Sequence, residues 1–164
     1  MEGVRVLANF DAKRLSRLDW VVVGASALAL IALFLPWYGA STLYFSASVS
    51  GWSTGYGWLG ALLIVASGVY LALQRSQADL SRVKVGPATV VLGAAVVGTV
   101  LVIVRWISLP RGHGGIGGLT VYSYGPRVGI WLTLVVGVVQ TVCALRLFRA
   151  SGEKLPWVHE PPSA

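Results

Sequence analysis

Apolar residues along this chain gather into four runs, separated by short polar or glycine-rich stretches. The runs cover roughly residues 20–37, 56–73, 86–109 and 128–148. Crossing the hydrocarbon of a bilayer as a helix takes about 20 mostly apolar residues, and all four runs qualify. None holds a charge until Arg105, near the end of the third, and Arg146, near the end of the fourth. In lipid a backbone N–H or C=O must find its partner within the protein, which favours helices. The pattern predicts an all-α integral membrane protein, a four-helix transmembrane bundle forming one domain. The first run exceeds a signal-peptide core in length and ends in the bulky Leu35-Pro36-Trp37, so it reads as a retained span.

The stretches between the first and second runs, and between the third and fourth, have a different texture. Thr42 to Val49 and Leu119 to Tyr124 are rich in β-branched and aromatic residues and bounded by Gly and Ser. Each is predicted as a short strand, and the two are placed to pair above the bundle. A two-stranded ribbon is marginal in water, so packing on the helix ends would have to support it. The glycine-rich Arg111 to Gly118 segment reads as flexible. Ahead of the first run, Val4, Leu7, Phe10, Leu15 and Leu18 share one face if residues 1–19 are helical, which suits a helix lying in the membrane interface. The other reading is a basic flank without fixed structure.

The halves of the chain resemble each other. Val22-Val23-Gly24 precedes Leu35-Pro36 at the same spacing as Val96-Val97-Gly98 precedes Leu109-Pro110. A Gly/Ser/Tyr-rich loop follows each Leu-Pro and leads into Gly57-Trp58-Leu59 in one half and Gly129-Ile130-Trp131-Leu132 in the other. This is the pattern of a duplicated helical hairpin. Two unrelated hairpins obeying the same interface rules would look similar.

Composition agrees with lipid as the solvent. Of 164 residues 55% are hydrophobic and 12% charged, where soluble domains carry about 25% charged residues. The mean hydropathy is +0.73. A net charge of +7 would suggest nucleic acid in a soluble protein. Here the charges flank apolar runs and act as an orientation signal. Ten of the thirteen basic residues lie in the N-terminal segment, in the middle loop with Arg75, Arg82 and Lys84, or around the C-terminal tail at 149–164. Only Arg105, Arg111 and Arg127 lie on the other side, and all six acidic residues share the basic side. Both termini are therefore expected in the cytoplasm.

Small residues let lipid-immersed helices approach. Gly125, Gly129, Thr133, Gly137 and Thr141 form a ladder four residues apart in the fourth run, and shorter ladders appear in the second (Gly57, Ala61; Gly60, Gly68, Ala72) and third (Gly86, Val90, Ala94, Gly98). They are candidate helix-packing positions, serving the internal seam or a homo-oligomer contact. Gln140 is expected to hydrogen-bond within the bundle.

Candidate chemistry is sparse. Proton- or ion-coupled transport generally uses ionisable groups inside the membrane, and the spans hold none at mid-depth. His113 has no carboxylate on its side, so no triad or metal set can be assembled there; His159 stands with Glu160 in the tail. Cys143 is apolar-flanked and reads as inert, and its being alone excludes an intrachain disulfide. Residues 112–118 lack the Gly-Lys-Ser/Thr ending of a phosphate loop. No catalytic, cofactor or metal residue is assigned, and no cofactor is expected. Arg111 and Arg127 suit lipid phosphates or acidic polymers, or anchor the span ends by snorkelling. Trp52, Tyr44, Phe45, Tyr122 and Tyr124 suit an outer apolar cap that covers helix ends or meets a partner.

At Leu35-Pro36-Trp37-Tyr38, Ser50-Gly51-Trp52 and Arg127-Val128-Gly129-Ile130-Trp131-Leu132, the chain resembles the small uncharacterised four-span membrane proteins common in actinobacterial genomes. The resemblance implies a bacterial plasma-membrane location and brings no activity with it. A looser similarity to claudins stops at layout, because the paired cysteines of the claudin loop are absent. The expectation is a non-enzymatic accessory or scaffold membrane protein whose partners are membrane lipids, another membrane protein or itself, and not nucleic acid. The other reading is a small transporter or lipid-binding protein with a pocket between the hairpins.

Overall fold

Ser16 opens the first helix. Its hydroxyl accepts from the Asp19 N–H at 3.2 Å while the Asp19 carboxylate accepts from the Ser16 N–H at 2.9 Å, a reciprocal capping box at the start of α1 (Arg17–Phe34). Pro36 sets its end. A proline disfavours helical geometry in the residue before it, and Leu35 is extended at φ −74°, ψ 158°. The chain runs straight on into β1 (Pro36–Thr42), turns at Leu43-Tyr44-Phe45 and returns as β2 (Ser46–Ser50). A short 3-10 turn over Gly51–Ser53 leads to α2 (Gly57–Arg75). The next helix, α3 (Pro87–Ser108), has proline in its first turn, where an N–H would have no helical partner. Then come β3 (Gly112–Ile116), β4 (Leu119–Pro126) and α4 (Val128–Ser151), which stops at Gly152 in left-handed geometry with φ 67°. The computed structural model describes residues 16–75, 86–116 and 119–153.

The helices form a ring in chain order. Each packs against its sequence neighbours, α4 closes back on α1, and α2 touches α4 across the diagonal. All four are long and apolar enough to cross a membrane. No more than 39% of any span is buried, so most of the apolar residues, among them Ile31, Val69, Val97 and Val135, face outward. That is the reverse of a water-soluble bundle, whose outer faces are polar.

The fold is not all-α. The two loops at one end build a four-stranded antiparallel sheet in the order β2-β1-β4-β3. The predicted strand over Thr42 to Val49 is corrected to a hairpin: its first half contains the turn, closed by the Thr42 N–H donating to the Phe45 carbonyl at 2.7 Å. The glycine-rich segment expected to be flexible is strand β3 over residues 112–116. The first span is shorter than predicted at its far end, and Trp37 belongs to β1. The expected interfacial face at Val4, Leu7, Phe10 and Leu15 lies outside the described residues, as do residues 76–85 and the tail from 154. Leu18 sits in the first turn of α1 and packs beside Val22 and Leu71.

Each half does follow a helix–hairpin–helix plan, but the sheet treats the halves differently. A twofold-related duplication would place the same strand of each hairpin at the centre. Here the central pair is β1, the first strand of its hairpin, and β4, the second strand of the other. These are the strands that continue directly from α1 and into α4, helices that pack together. The central ladder thus extends an existing helix pair, and β2 and β3 are left as the edges.

Candidate functional site

The bundle interior is layered. Two apolar clusters, one toward the sheet around Leu33, Ile64 and Ile130, the other toward the termini around Val22, Val91 and Ala144, are separated by a polar layer. Gln140 is fully buried at its centre. Its amide nitrogen lies 2.7 Å from the Ile64 carbonyl, 2.5 Å from Ser67 Oγ and 3.2 Å from Ser26 Oγ. The two serines also donate to backbone carbonyls, Ser26 to Val22 and Ser67 to Ile64. The layer ties α1, α2 and α4 together, as Gln140 was expected to do. Between α2 and α3 the backbones meet at Gly60 and Gly98: a Cβ on either would lie 2.6 Å from the carbonyl oxygen of the other. Two openings among the described residues lie toward the surface. A cavity of about 230 Å³ opens between α2, α3 and α4 at the terminal end, beside Arg75 and Glu153. A shallow apolar groove of about 170 Å³ runs outside α3 and α4 over Thr99 and Thr141.

The terminal end carries both described carboxylates. Asp19 is buried, with Arg75 Nε 3.4 Å from its Oδ2 and no partner for its Oδ1 among the described residues. Glu153 caps α3 from outside that helix, accepting from the Ala88 N–H at 3.2 Å and the Thr89 N–H at 2.9 Å. A carboxylate suits the positive end of a helix.

Among the described residues the sheet end has no acidic residue, because none occurs between Asp19 and Asp79 or between Asp79 and Glu153. Its architecture hangs on Trp37. That indole is fully buried, donates to the Ala32 carbonyl at 2.8 Å, and lies against Gly51, Gly57 and Gly129, where any Cβ would meet the ring. Strand register then sorts the sheet into two faces, since antiparallel partners point the same way. Tyr38, Ala40 and Thr42 share a face with Val49, Tyr122 and Tyr124. Tyr122 and Tyr124 stack with parallel rings 6.3 Å apart. The rings extend over Gly112 and Gly114 of the edge strand, where a Cβ would collide with them. The glycines of β3 therefore make room for tyrosines, an arrangement that shields the backbone of an edge.

The other face is small and polar. Gly39 and Ser41 of β1 stand opposite Ser48 and Ser46 of β2 and opposite Gly125 and Ser123 of β4, with exposed His113 beyond. Arg127 folds back over this face from the start of α4. A Cβ on Gly39 would come 2.6 Å from Arg127 Nε, and Arg127 Nη2 donates to Ser41 Oγ at 2.7 Å. A cleft of about 310 Å³ lies beside them, lined by Pro36, Ser41, Ser46, Ala47, Ser48 and Arg127.

The sequence-derived candidates therefore separate. Gly129, Thr133 and Gly137 lie in tight contacts: Gly129 against Trp37, Gly137 against Thr99 and Ile64, and Thr133 buried with its hydroxyl on the Gly129 carbonyl. Thr141 meets Thr99 at 3.2 Å. Gly125 lies in β4, not in the helix, and a Cβ there would meet nothing within 4 Å. Arg111 sits 4.5 Å above the Trp106 ring and donates to the Trp106 carbonyl. Arg105 lies 5.7 Å from the centre of the Tyr56 ring. Trp52 packs between Phe34 and Trp58, and Leu43, Tyr44 and Phe45 project from the β1–β2 turn. Of the outer candidates, Arg127 lines the cleft beside Ser41, Ser46 and Ser48. Sequence reasoning missed Gly39, Ser41, Ser46 and Ser48, although their two-residue alternation was the available signal, and it missed Glu153 as a cap. Comparisons with protein-family models, curated proteins and solved structures return no match to this chain.

Proposed function

We propose that this protein is a non-enzymatic accessory or scaffold protein of the plasma membrane, crossing the bilayer four times with both termini in the cytoplasm and the sheet on the outer side. The packing of the bundle carries this reading. The Gln140 layer ties α1, α2 and α4, and the Gly60–Gly98 contact brings the backbones of α2 and α3 together, which suits a bundle that holds rather than conducts. Outward apolar faces and the one-sided distribution of basic residues support the placement. The elaborated surface is the sheet, and recognition belongs there. A transporter or lipid carrier with an outward-opening pocket between the hairpins has less support, because the cavity between α2, α3 and α4 opens at the terminal end, away from the sheet. The test is purification from native membrane in mild detergent after cross-linking, followed by mass spectrometry. A reproducible membrane partner, or a defined oligomer of this chain, is expected; recovery of the protein alone and monomeric would overturn the accessory role.

A further inference from the structure

The geometry points to the Arg127 cleft as a binding site for a phosphate group. This inference deepens the reading of the sheet as the recognition surface and rests on it.

The arginine is built into place rather than left to sweep the surface. Gly39 provides the seat, since any side chain there would displace the guanidinium. Ser41 fixes the fork by accepting one N–H at 2.7 Å. Having accepted, the Ser41 hydroxyl keeps its own hydrogen to donate. Ser46 and Ser48 stand on the same face of the neighbouring strand, and both line the cleft. A guanidinium has five N–H donors and no acceptor, so four remain after the bond to Ser41. A ligand here meets donors from several directions.

Charge decides the sign of the ligand. No acidic residue occurs in the segments that build the sheet end, between Asp19 and Asp79 or between Asp79 and Glu153, to neutralise Arg127. Arg111, at the same end, differs: its guanidinium rests on the Trp106 ring and bonds to the Trp106 carbonyl. Geometry of the acceptors decides the class. A carboxylate offers two coplanar oxygens to a fork, whereas the oxygens of a phosphate are spread tetrahedrally, out of the guanidinium plane, and so can use hydroxyls beside the guanidinium. The phosphate can belong to a phospholipid headgroup or to a free phosphate, because both present anionic non-bridging oxygens on a tetrahedral phosphorus.

The test uses the full-length protein in non-ionic detergent, titrated calorimetrically with dihexanoyl phosphatidylglycerol, with inorganic phosphate, and with dihexanoyl glycerol, which has the chains without the phosphate. Saturable binding of phosphatidylglycerol and none of dihexanoyl glycerol is expected. R127Q should weaken it about tenfold or more, and S46A/S48A several-fold, while R111Q stays within about twofold. If inorganic phosphate binds as tightly as the lipid, the site serves free phosphate; if only the lipid binds, it serves a headgroup. The proposal fails if neither phosphate compound saturates, or if R111Q weakens binding as much as R127Q, which would mean bulk charge. Should R127Q misfold, S46A/S48A on the exposed edge strand decides alone. None of these outcomes alters the accessory role, which the cross-linking experiment judges separately.

Discussion

The indole of Trp37 lies so close to Gly129 that a Cβ on that glycine would sit 2.5 Å from the ring's Cδ1. This contact joins the first strand to the last helix and seats the sheet on the bundle. Gly129→Ala should therefore force the ring or α4 to shift, at a cost of about 1–3 kcal/mol typical of overpacking. Gly125→Ala, four residues earlier, meets open space and should be near neutral. Thermal unfolding in detergent distinguishes them; equal midpoints would show that the Trp37 seat yields without cost.

Gln140 is the link most exposed to test within the helices. Gln140→Leu keeps the volume roughly and removes the amide. Ser26 and Ser67 retain their backbone acceptors, so no hydroxyl is stranded. The expected loss is about 1–2 kcal/mol, the range for hydrogen bonds between membrane helices, read from denaturation in mixed micelles. A loss above about 4 kcal/mol would mean that the serines depend on the glutamine.

The strand order can be trapped. Ser41 and Ser123 are register partners, and partners in an antiparallel ladder have Cα atoms about 4.5–5.5 Å apart, within disulfide reach. S41C/S123C in a C143A background should cross-link under mild oxidation. S41C/H113C should not, because β4 lies between and puts them about 10 Å apart. Cross-linking only of the second pair would restore the symmetric, duplicated sheet.

Glu153 reaches the first turn of α3 from beyond the end of α4. Glu153→Ala should cost about 1 kcal/mol, the usual worth of a lost cap, and should raise amide exchange in the first turn of α3 before any change at its sheet end. Uniform exchange along α3 would contradict the capping role.

Orientation is open to labelling. In intact cells a membrane-impermeant thiol reagent should modify H113C and leave D79C unmodified until the membrane is opened, again in a C143A background. The opposite result would invert the proposed topology.

Four helices, their approximate limits and the one-sided charge were legible along the chain, because length, hydropathy and the Leu35-Pro36 and Leu109-Pro110 stops are local properties. Helical spacing alone puts Gly129, Thr133, Gly137 and Thr141 on one stripe, while the contacts of Gly129 with Trp37 and of Gly137 with Thr99 and Ile64 come from the tertiary structure. The sheet was half legible: β-branched and aromatic residues signalled strands, but the turn within Thr42 to Val49 was not recognised. Glycines 112 and 114 read as looseness, when they are spaces for Tyr124 and Tyr122. That meaning depends on residues about ten positions away. Strand order, the central pairing of β1 with β4, the Trp37 seat and the Arg127 cleft were decided only by the tertiary structure. Each arises where α1 and α4, at opposite ends of the chain, come together, and a pattern read along one strand cannot say which distant strand will lie beside it.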